Sequence, residues 1–492
     1  MTGAAGAATD RAAARRHGKR AAVGSVWLLL AQVPTLPLGL TTLWLLTQWL
    51  EPAAYGRYAT VVTLLMWAEW GVSALVTRTT MKLVADASDA ESAAGAAAGM
   101  LRVTAGLAVV VGGGFALLAG PIAGALGDAE LAGLILLAAI DVPLFALAQC
   151  YCGALNGNGR YLGRALAGGL YWPVRFGVVA AVLAMGGGAR EVLWALIAAS
   201  AVQLGMAAVM WPIGLGRLRG ARWPAWRWLV RFALPLAAVG MSMRLGEGLD
   251  LVMLQAWGGA SVEAGPYALA VAIGVVPGMA VAALVPTLLT LLTQLRRDGH
   301  PDLAEHVTRM ALQGLLWLAP LTLAVSLVCE PVVVSVFGEA YRAAGPVVSV
   351  LAWAAWLRFS LAVLVSVMTA YDRPVLAAAG VTPMVGVMLV AMAWAIPAMG
   401  ERGAALSTVA GLGVAWVVML VLVCGVTGAR PGAMAVARAL VATGVAGVLG
   451  WWWPGSWWAG LALLALVAGL SAGCAWWWGD VRWRRVRRVG RR

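Results

Sequence analysis

Apolar runs of twenty or more residues recur along this chain from Ala21 to Trp478, joined by short charged or glycine-rich connections. A run of that length crosses the ~30 Å hydrocarbon core of a bilayer as one helix. No segment between the runs is long enough to fold alone. Composition agrees: 62% of residues are hydrophobic and 11% charged, where a soluble chain carries about 25% charged. The expected fold class is therefore an all-α polytopic membrane protein.

Fourteen spans are expected, at roughly 21–50, 54–77, 93–120, 131–155, 165–187, 192–215, 229–257, 265–294, 307–329, 344–370, 374–398, 402–425, 433–452 and 457–478. With the N-terminus in the cytoplasm, 27 of the 35 basic residues fall on inner segments and 4 on outer ones. That is the positive-inside pattern. It puts both termini in the cytoplasm of a multi-pass protein of the cell membrane. The 4 basic residues left over, Arg102, Arg175, Arg244 and Arg358, lie within spans. The net charge of +14 thus flanks the spans and meets anionic headgroups; nucleic acid is not an expected partner. The stretch "GRLRGARWPAWRWLVRF" (Gly216–Phe232) is read as interfacial, and "WWWPGSWW" (Trp451–Trp458) as part of an aromatic belt.

An internal repeat organises the spans. "WLEPAAYGRYA" (Trp49–Ala59) matches "WGGASVEAGPYA" (Trp257–Ala268), aligning Tyr58 with Tyr267 at an offset of 209. "GNGRYLGRALAGG" (Gly157–Gly169) matches "AYDRPVLAAAG" (Ala370–Gly380), aligning Arg160 with Arg373 at an offset of 213. The expected plan is two parallel six-helix repeats plus two C-terminal helices. A basic tail (1–20) precedes a first six-helix bundle (21–215). A basic-aromatic linker (216–228) leads to a second bundle (229–425), then to helices 13 and 14 (426–478) and a basic tail (479–492). Parallel repeats are one plan of secondary transporters, with substrate sites near midplane.

These residues resemble a known family. "LEPAAYGRYATVVTLLMWAEWGVSALVTR" looks like the first outer loop and second helix of polysaccharide flippases. "SVFGEAYRAAGPVVSVLAW" is similar to the family's loop before helix 10, and "LNGNGRYLGRALAGG" and "MTAYDRPVLAAAG" to its cytoplasmic turns. "RLGEGLDLVMLQAWGG" resembles its seventh helix. The family is the Wzx-type branch of the multidrug/oligosaccharidyl-lipid/polysaccharide exporter superfamily. The resemblance implies two six-helix bundles in a V around a cavity that opens to alternate faces. It implies a polyprenyl-diphosphate-linked oligosaccharide as cargo, with a glycan polymerase or glycosyltransferases as candidate partners. The chain departs from the family in its low lysine and high tryptophan content.

Charges inside the spans are the candidate site. An arginine at a span centre costs about 2.5–3.5 kcal/mol on insertion scales. Arg175, Arg244 and Arg358 therefore face a wet cavity or find partners. A guanidinium binds phosphate bidentately and stays charged, which suits it to a diphosphate. In-span acids are Glu69, Asp141, Glu247 and Asp250. Arg244, Glu247 and Asp250 are three residues apart, which on a helix places them along one side. Arg244 thus has two readings, paired to Glu247 or facing cargo. Glu69, Glu247 and Asp250 are candidates for carrying a coupling ion, H+ or Na+. Prolines 34, 37, 143, 235, 277 and 286 are candidate bends.

The remaining chemistry is sparse. The five cysteines are read as packing residues, and the histidines fall in charged segments outside the spans. No metal site, cofactor or catalytic constellation is expected, and the chain is not read as an enzyme. Neither lysine, Lys19 or Lys82, sits in a Walker A pattern. The leading alternative is a cation-coupled multidrug exporter of the same superfamily. A membrane glycan polymerase or ligase ranks lower, because the outer connections are too short to hold a catalytic loop.

Overall fold

The computed structural model describes residues 27, 30–213, 241, 244–258, 261–275, 278–451 and 457–477. Both basic tails, the linker 216–228, Pro235, Pro277 and most of the tryptophan-rich turn lie outside the described residues. Among the described residues the secondary structure is helical and contains no strand. Ten helical stretches there are long and apolar enough to cross a membrane, with shorter apolar helices at Ala264–Gly274 and Ala462–Ser471. The stretch Pro374–Thr427 holds two of the expected spans.

The chain divides into two compact units, Met1–Arg244 and Leu245–Arg492. The first contains α1 (Thr35–Trp49), α2 (Pro52–Ala85), α3 (Ala90–Leu117), α4 (Ala119–Ala125) and α5 (Glu130–Ala138). It continues with α6 (Asp141–Gly157), α7 (Tyr161–Gly169), α8 (Tyr171–Ala184) and α9 (Ala189–Met210). The second contains α10 (Leu249–Trp257), α11 (Ser261–Val275), α12 (Gly278–Arg297), α13 (Pro301–Trp317) and α14 (Ala319–Phe337). It ends with α15 (Ala344–Ala370), α16 (Pro374–Val381), α17 (Pro383–Thr427), α18 (Ala433–Trp451) and α19 (Trp457–Trp477).

Proline sets most of the interruptions. The third, fourth and fifth spans break at Leu118, Ile140 and Leu170, each three residues before Pro121, Pro143 or Pro173. A proline there cannot donate to the carbonyl four residues back, and its ring crowds that carbonyl. The break between α16 and α17 falls at Thr382, directly before Pro383, which takes the first helical position of α17. Glycine serves at Gly400 (φ 57°, ψ −130°), which divides α17 into two spans.

The seventh span overturns one expectation. Helix stops at Leu245, Gly246 to Gly248 form a turn, and α10 restarts at Leu249. Gly248 is left-handed (φ 80°, ψ 3°), a conformation glycine adopts without a Cβ penalty. Arg244, Glu247 and Asp250 therefore do not line one side of a continuous helix. Glu247 lies in the break itself, and Asp250 lies in the first turn of α10.

Packing in the first unit is close where residues are small. Gly153 and Gly157 of α6 form a G-x-x-x-G pair against α2. A Cβ at Gly153 would lie 2.5 Å from the Thr77 carbonyl oxygen, and one at Gly157 2.5 Å from that of Met81. Such pairs let helix backbones approach inside a membrane. Around them lies a core of Val72, Val76, Ala97, Ala146 and Leu155. Cys150 and Cys152 are buried in this core and free.

The two cytoplasm-assigned turns of the repeat share one backbone pattern. After α6, Arg160 N–H donates to Leu155 O and Gly159 is left-handed (φ 68°). After α15, Arg373 N–H donates to Met368 O and Asp372 is left-handed (φ 57°). Both hydrogen bonds measure 2.9–3.0 Å. The matched positions keep the offset of 213 that the sequence motifs carry.

Candidate functional site

Among the described residues each unit holds a buried polar cluster, and in each an aspartate stands where a broken span restarts. In the first unit the break before Pro143 makes Asp141 the first residue of α6. In the second, the turn ending at Gly248 puts Asp250 in the first turn of α10. A helix N-terminus carries roughly half a positive charge, which favours an anion there.

The first-unit cluster brings together four helices. Glu69 of α2 and Asp141 of α6 are 5% and 1% exposed and face each other. Arg175 of α8 is the cation beside both. Its Nη2 donates to the Tyr58 hydroxyl at 3.1 Å, and its guanidinium lies over the Trp172 ring at 5.1 Å. Ser200 of α9 stands beside Asp141, fully buried. Several of these atoms are unmet. Glu69 Oε1, both carboxyl oxygens of Asp141, Ser200 Oγ and Arg175 Nε have no hydrogen-bond partner in the protein. Buried polar atoms are ordinarily paired, so a concentration of five marks this cluster out.

The second-unit cluster is better satisfied. Asp250 is fully buried; its Oδ1 accepts from Leu251 N–H at 3.0 Å and its Oδ2 from the Thr408 hydroxyl at 2.9 Å. The buried Tyr267 hydroxyl lies beside this carboxylate. Arg358 of α15 donates through Nη2 to the carbonyl of Gly246 at 3.1 Å. It thereby meets one of the backbone oxygens that the break frees. The two tyrosines aligned by the repeat, Tyr58 and Tyr267, are both buried, and each has an arginine near it. The arginines come from helices that the repeat does not align.

The placement of the sequence candidates is therefore specific. Glu69 and Arg175 come together, joined by Asp141, which the sequence marks as an in-span acid but not as a site residue. Asp250 and Arg358 share a neighbourhood with Thr408 and Tyr267. Arg244 lies over the Trp70 ring, 3.9 Å from its centroid, and so takes an aromatic contact as well as the ionic options considered for it. Among the described residues no group of three metal-ligating side chains occurs. Tyr58, Trp172, Ser200, Tyr267 and Thr408 were missed. Of these, Tyr58 and Tyr267 carried a signal in the sequence, their matched places in the repeat.

At the outer-assigned ends each unit has an arginine clamped by two acids. Arg57 meets Asp128 at 2.7 Å and Glu130 at 2.6 Å. Arg342 meets Glu339 at 2.7 Å and Glu330 at 3.0 Å. The Arg342 hydrogen bonds hold the Glu339 carboxyl below its ordinary range.

Comparison with known proteins agrees with this architecture. The family model described as "Polysaccharide biosynthesis protein" matches residues 21–292. No curated protein matches the sequence. Among solved structures, the chain is similar to an inward-facing multidrug resistance MATE family transporter of the MOP superfamily. That match has TM-score 0.69 at 14% identity and covers 80% of this chain and 94% of the other. It is also similar to the lipid II flippase MurJ in an inward closed conformation, with TM-score 0.67 at 10% identity, covering 91% and 98%. A mutant form of MATE aligns with TM-score 0.55 at 15% identity, covering 82% and 96%. At these identities the structures speak for the fold, and the family model, which spans more than half the chain, speaks for descent. The chain belongs to the polysaccharide biosynthesis protein family, as a multi-pass membrane protein with a fold like that of the MATE and MurJ structures.

Proposed function

We propose that the chain moves a polyprenyl-diphosphate-linked oligosaccharide from the cytoplasmic to the outer leaflet of the cell membrane, in surface polysaccharide biosynthesis. The observation that carries this reading is Arg175, a half-buried guanidinium in the middle of a span, inside the region matched by the family model. A lipid diphosphate needs a permanent cation held away from bulk water, and arginine supplies it with fork geometry. Arg244 and Arg358 are the second and third candidates. Alternating access between the halves 21–215 and 229–425 would carry the headgroup across, with both termini in the cytoplasm, the orientation that the distribution of basic residues favours. Membrane lipids are the surrounding partners, and a glycan polymerase or glycosyltransferases would act on either side of the step.

The test is complementation of a glycan-export-deficient strain by the full chain. Restored export supports the reading. Arg175→Ala, Arg244→Ala and Arg358→Ala should each reduce export while the protein still inserts. Wild-type export in all three would end the cationic-cavity idea.

A second reading is favoured by Asp250. A fully buried carboxylate beside an unwound turn, with Thr408 and Tyr267 around it, has the chemistry of an H+ or Na+ site. Glu69 and Glu247 remain coupling candidates on the same reasoning. Ion coupling fits a flippase and equally a cation-coupled multidrug exporter. Drug resistance conferred without restored glycan export would favour the exporter.

A further inference from the structure

We infer that Glu69 and Asp141 share one proton, and that a second proton on this pair frees Arg175 to bind the phosphates of the cargo. This rests on the reading of Arg175 given above and adds a control to it.

Two carboxylates that face each other in a buried site cannot both ionise at ordinary cost. If both did, the cluster of two acids and one arginine would carry a net negative charge in the interior of a span. With one proton between them the cluster is neutral. The hydrogen-bond pattern points the same way. Glu69 Oε1 and both Asp141 oxygens receive no bond from any protein donor. A carboxyl–carboxylate bond is the one pairing that two acids can make with each other. The start of α6 favours the remaining negative charge on Asp141.

Among the described residues, the surrounding groups leave Arg175 as the counter-charge. The titratable and polar side chains facing the pair are Tyr58 of α2, Tyr171 and Arg175 of α8, and Ser200 of α9. Helix α1, which packs on α8, carries no titratable residue. Glu130, on α5 against α2, is engaged with Arg57. Arg102 of α3 has interactions of its own, and Arg244 lies over the ring of Trp70. In the singly protonated state Arg175 balances the one negative charge beside it. A second proton, taken from water onto the remaining carboxylate, removes that charge. No other bond need change. Arg175 is then an uncompensated cation inside the span, held by Tyr58 and Trp172, and a phosphate is what would compensate it. Proton uptake and phosphate binding are linked in the favourable sense.

Two measurements on the full chain in lipid nanodiscs test this separately. Infrared difference spectroscopy should show a carboxylic C=O band at neutral pH that is lost in Glu69→Gln and also in Asp141→Asn. A wild-type protein with no such band, or a band that survives both substitutions, overturns the shared proton. The second measurement titrates undecaprenyl diphosphate. Wild-type affinity should rise as pH falls, by up to about tenfold per pH unit while one proton is taken up. The Glu69→Gln/Asp141→Asn double variant should bind tightly with little pH dependence, and Arg175→Ala weakly at every pH. Wild-type binding that ignores pH overturns the linkage. Absence of any binding refutes the cargo reading and the linkage together, while the infrared result still decides the shared proton.

Discussion

Arg358 donates a hydrogen bond to the carbonyl of Gly246 at 3.1 Å, across the turn where the seventh span is broken. The arginine thus closes a gap in the backbone that its own helix did not make. A charged hydrogen bond of this kind contributes about 1.5–3 kcal/mol. Arg358→Ala should therefore lower the thermal stability of the purified protein in detergent as well as glycan export. Arg358→Lys, which keeps the charge but not the fork, should recover part of the stability. Lost export with unchanged stability would show that Arg358 serves the cargo and not the break.

Gly248 tests the same break from the backbone side. An L-residue in the left-handed region costs about 1–2 kcal/mol. Gly248→Ala should destabilise the protein by that amount, and Gly248→Asn by less, because asparagine tolerates this conformation better. Equal thermal midpoints for wild type and both variants would contradict the turn at Gly246–Gly248.

The helix contact at Gly153 makes a steric prediction. A methyl there would sit 2.5 Å from the Thr77 carbonyl oxygen, a backbone atom with no rotamer to yield. Gly153→Ala should lower stability by about 1–3 kcal/mol, the usual cost of overpacking. Gly133→Ala, where a Cβ meets nothing within 4 Å, is the control. Comparable losses at both positions would mean that α2 and α6 do not touch at Gly153.

The loop at Glu339 gives a pH prediction whose sign follows from its arginine. Arg342 donates to both Glu339 oxygens, at 2.7 and 2.8 Å, and so lowers the folded-state pKa of that carboxyl. Stability from this pair is present above the ordinary glutamate value of about 4.3, and it is lost as pH falls through the lower folded value. Hydrogen exchange at 338–345 should stay slow down to about pH 4 and quicken below it. Glu339→Gln should exchange fast at neutral pH and change little on acidification. Rapid exchange of the wild type at neutral pH would contradict the clamp.

The fold was legible because the bilayer imposes one dominant pattern. Among the described residues the long apolar runs reappear as helices, and the matched Arg160 and Arg373 turns share one backbone pattern. Pro143 marked a bend in the fourth span, but that the helix restarts at Asp141 came from the structure. The seventh span misled because the three-residue spacing of Arg244, Glu247 and Asp250 invites a helix, while Gly246 and Gly248 between them announce a turn. The candidate site was half legible. Charges inside spans mark Glu69, Arg175, Asp250 and Arg358 by type alone. That Asp141 meets Glu69, 72 positions away, depends on how α2 and α6 dock. That docking is set by small residues, whose influence lies in what they permit and not in any chemistry of their own.

The glycine contacts at Gly153 and Gly157 also decide how α2 and α6 can move. With backbone against backbone there is no side-chain layer to shear, so the two helices form one strut. Tyr58, Glu69 and Asp141 all ride on it, while Arg175 comes from α8 and Ser200 from α9. Whatever swing the unit makes, the two acids travel together at constant spacing, like a fixed jaw. The arginine on α8 reaches this jaw from another helix, through its hydrogen bond to Tyr58.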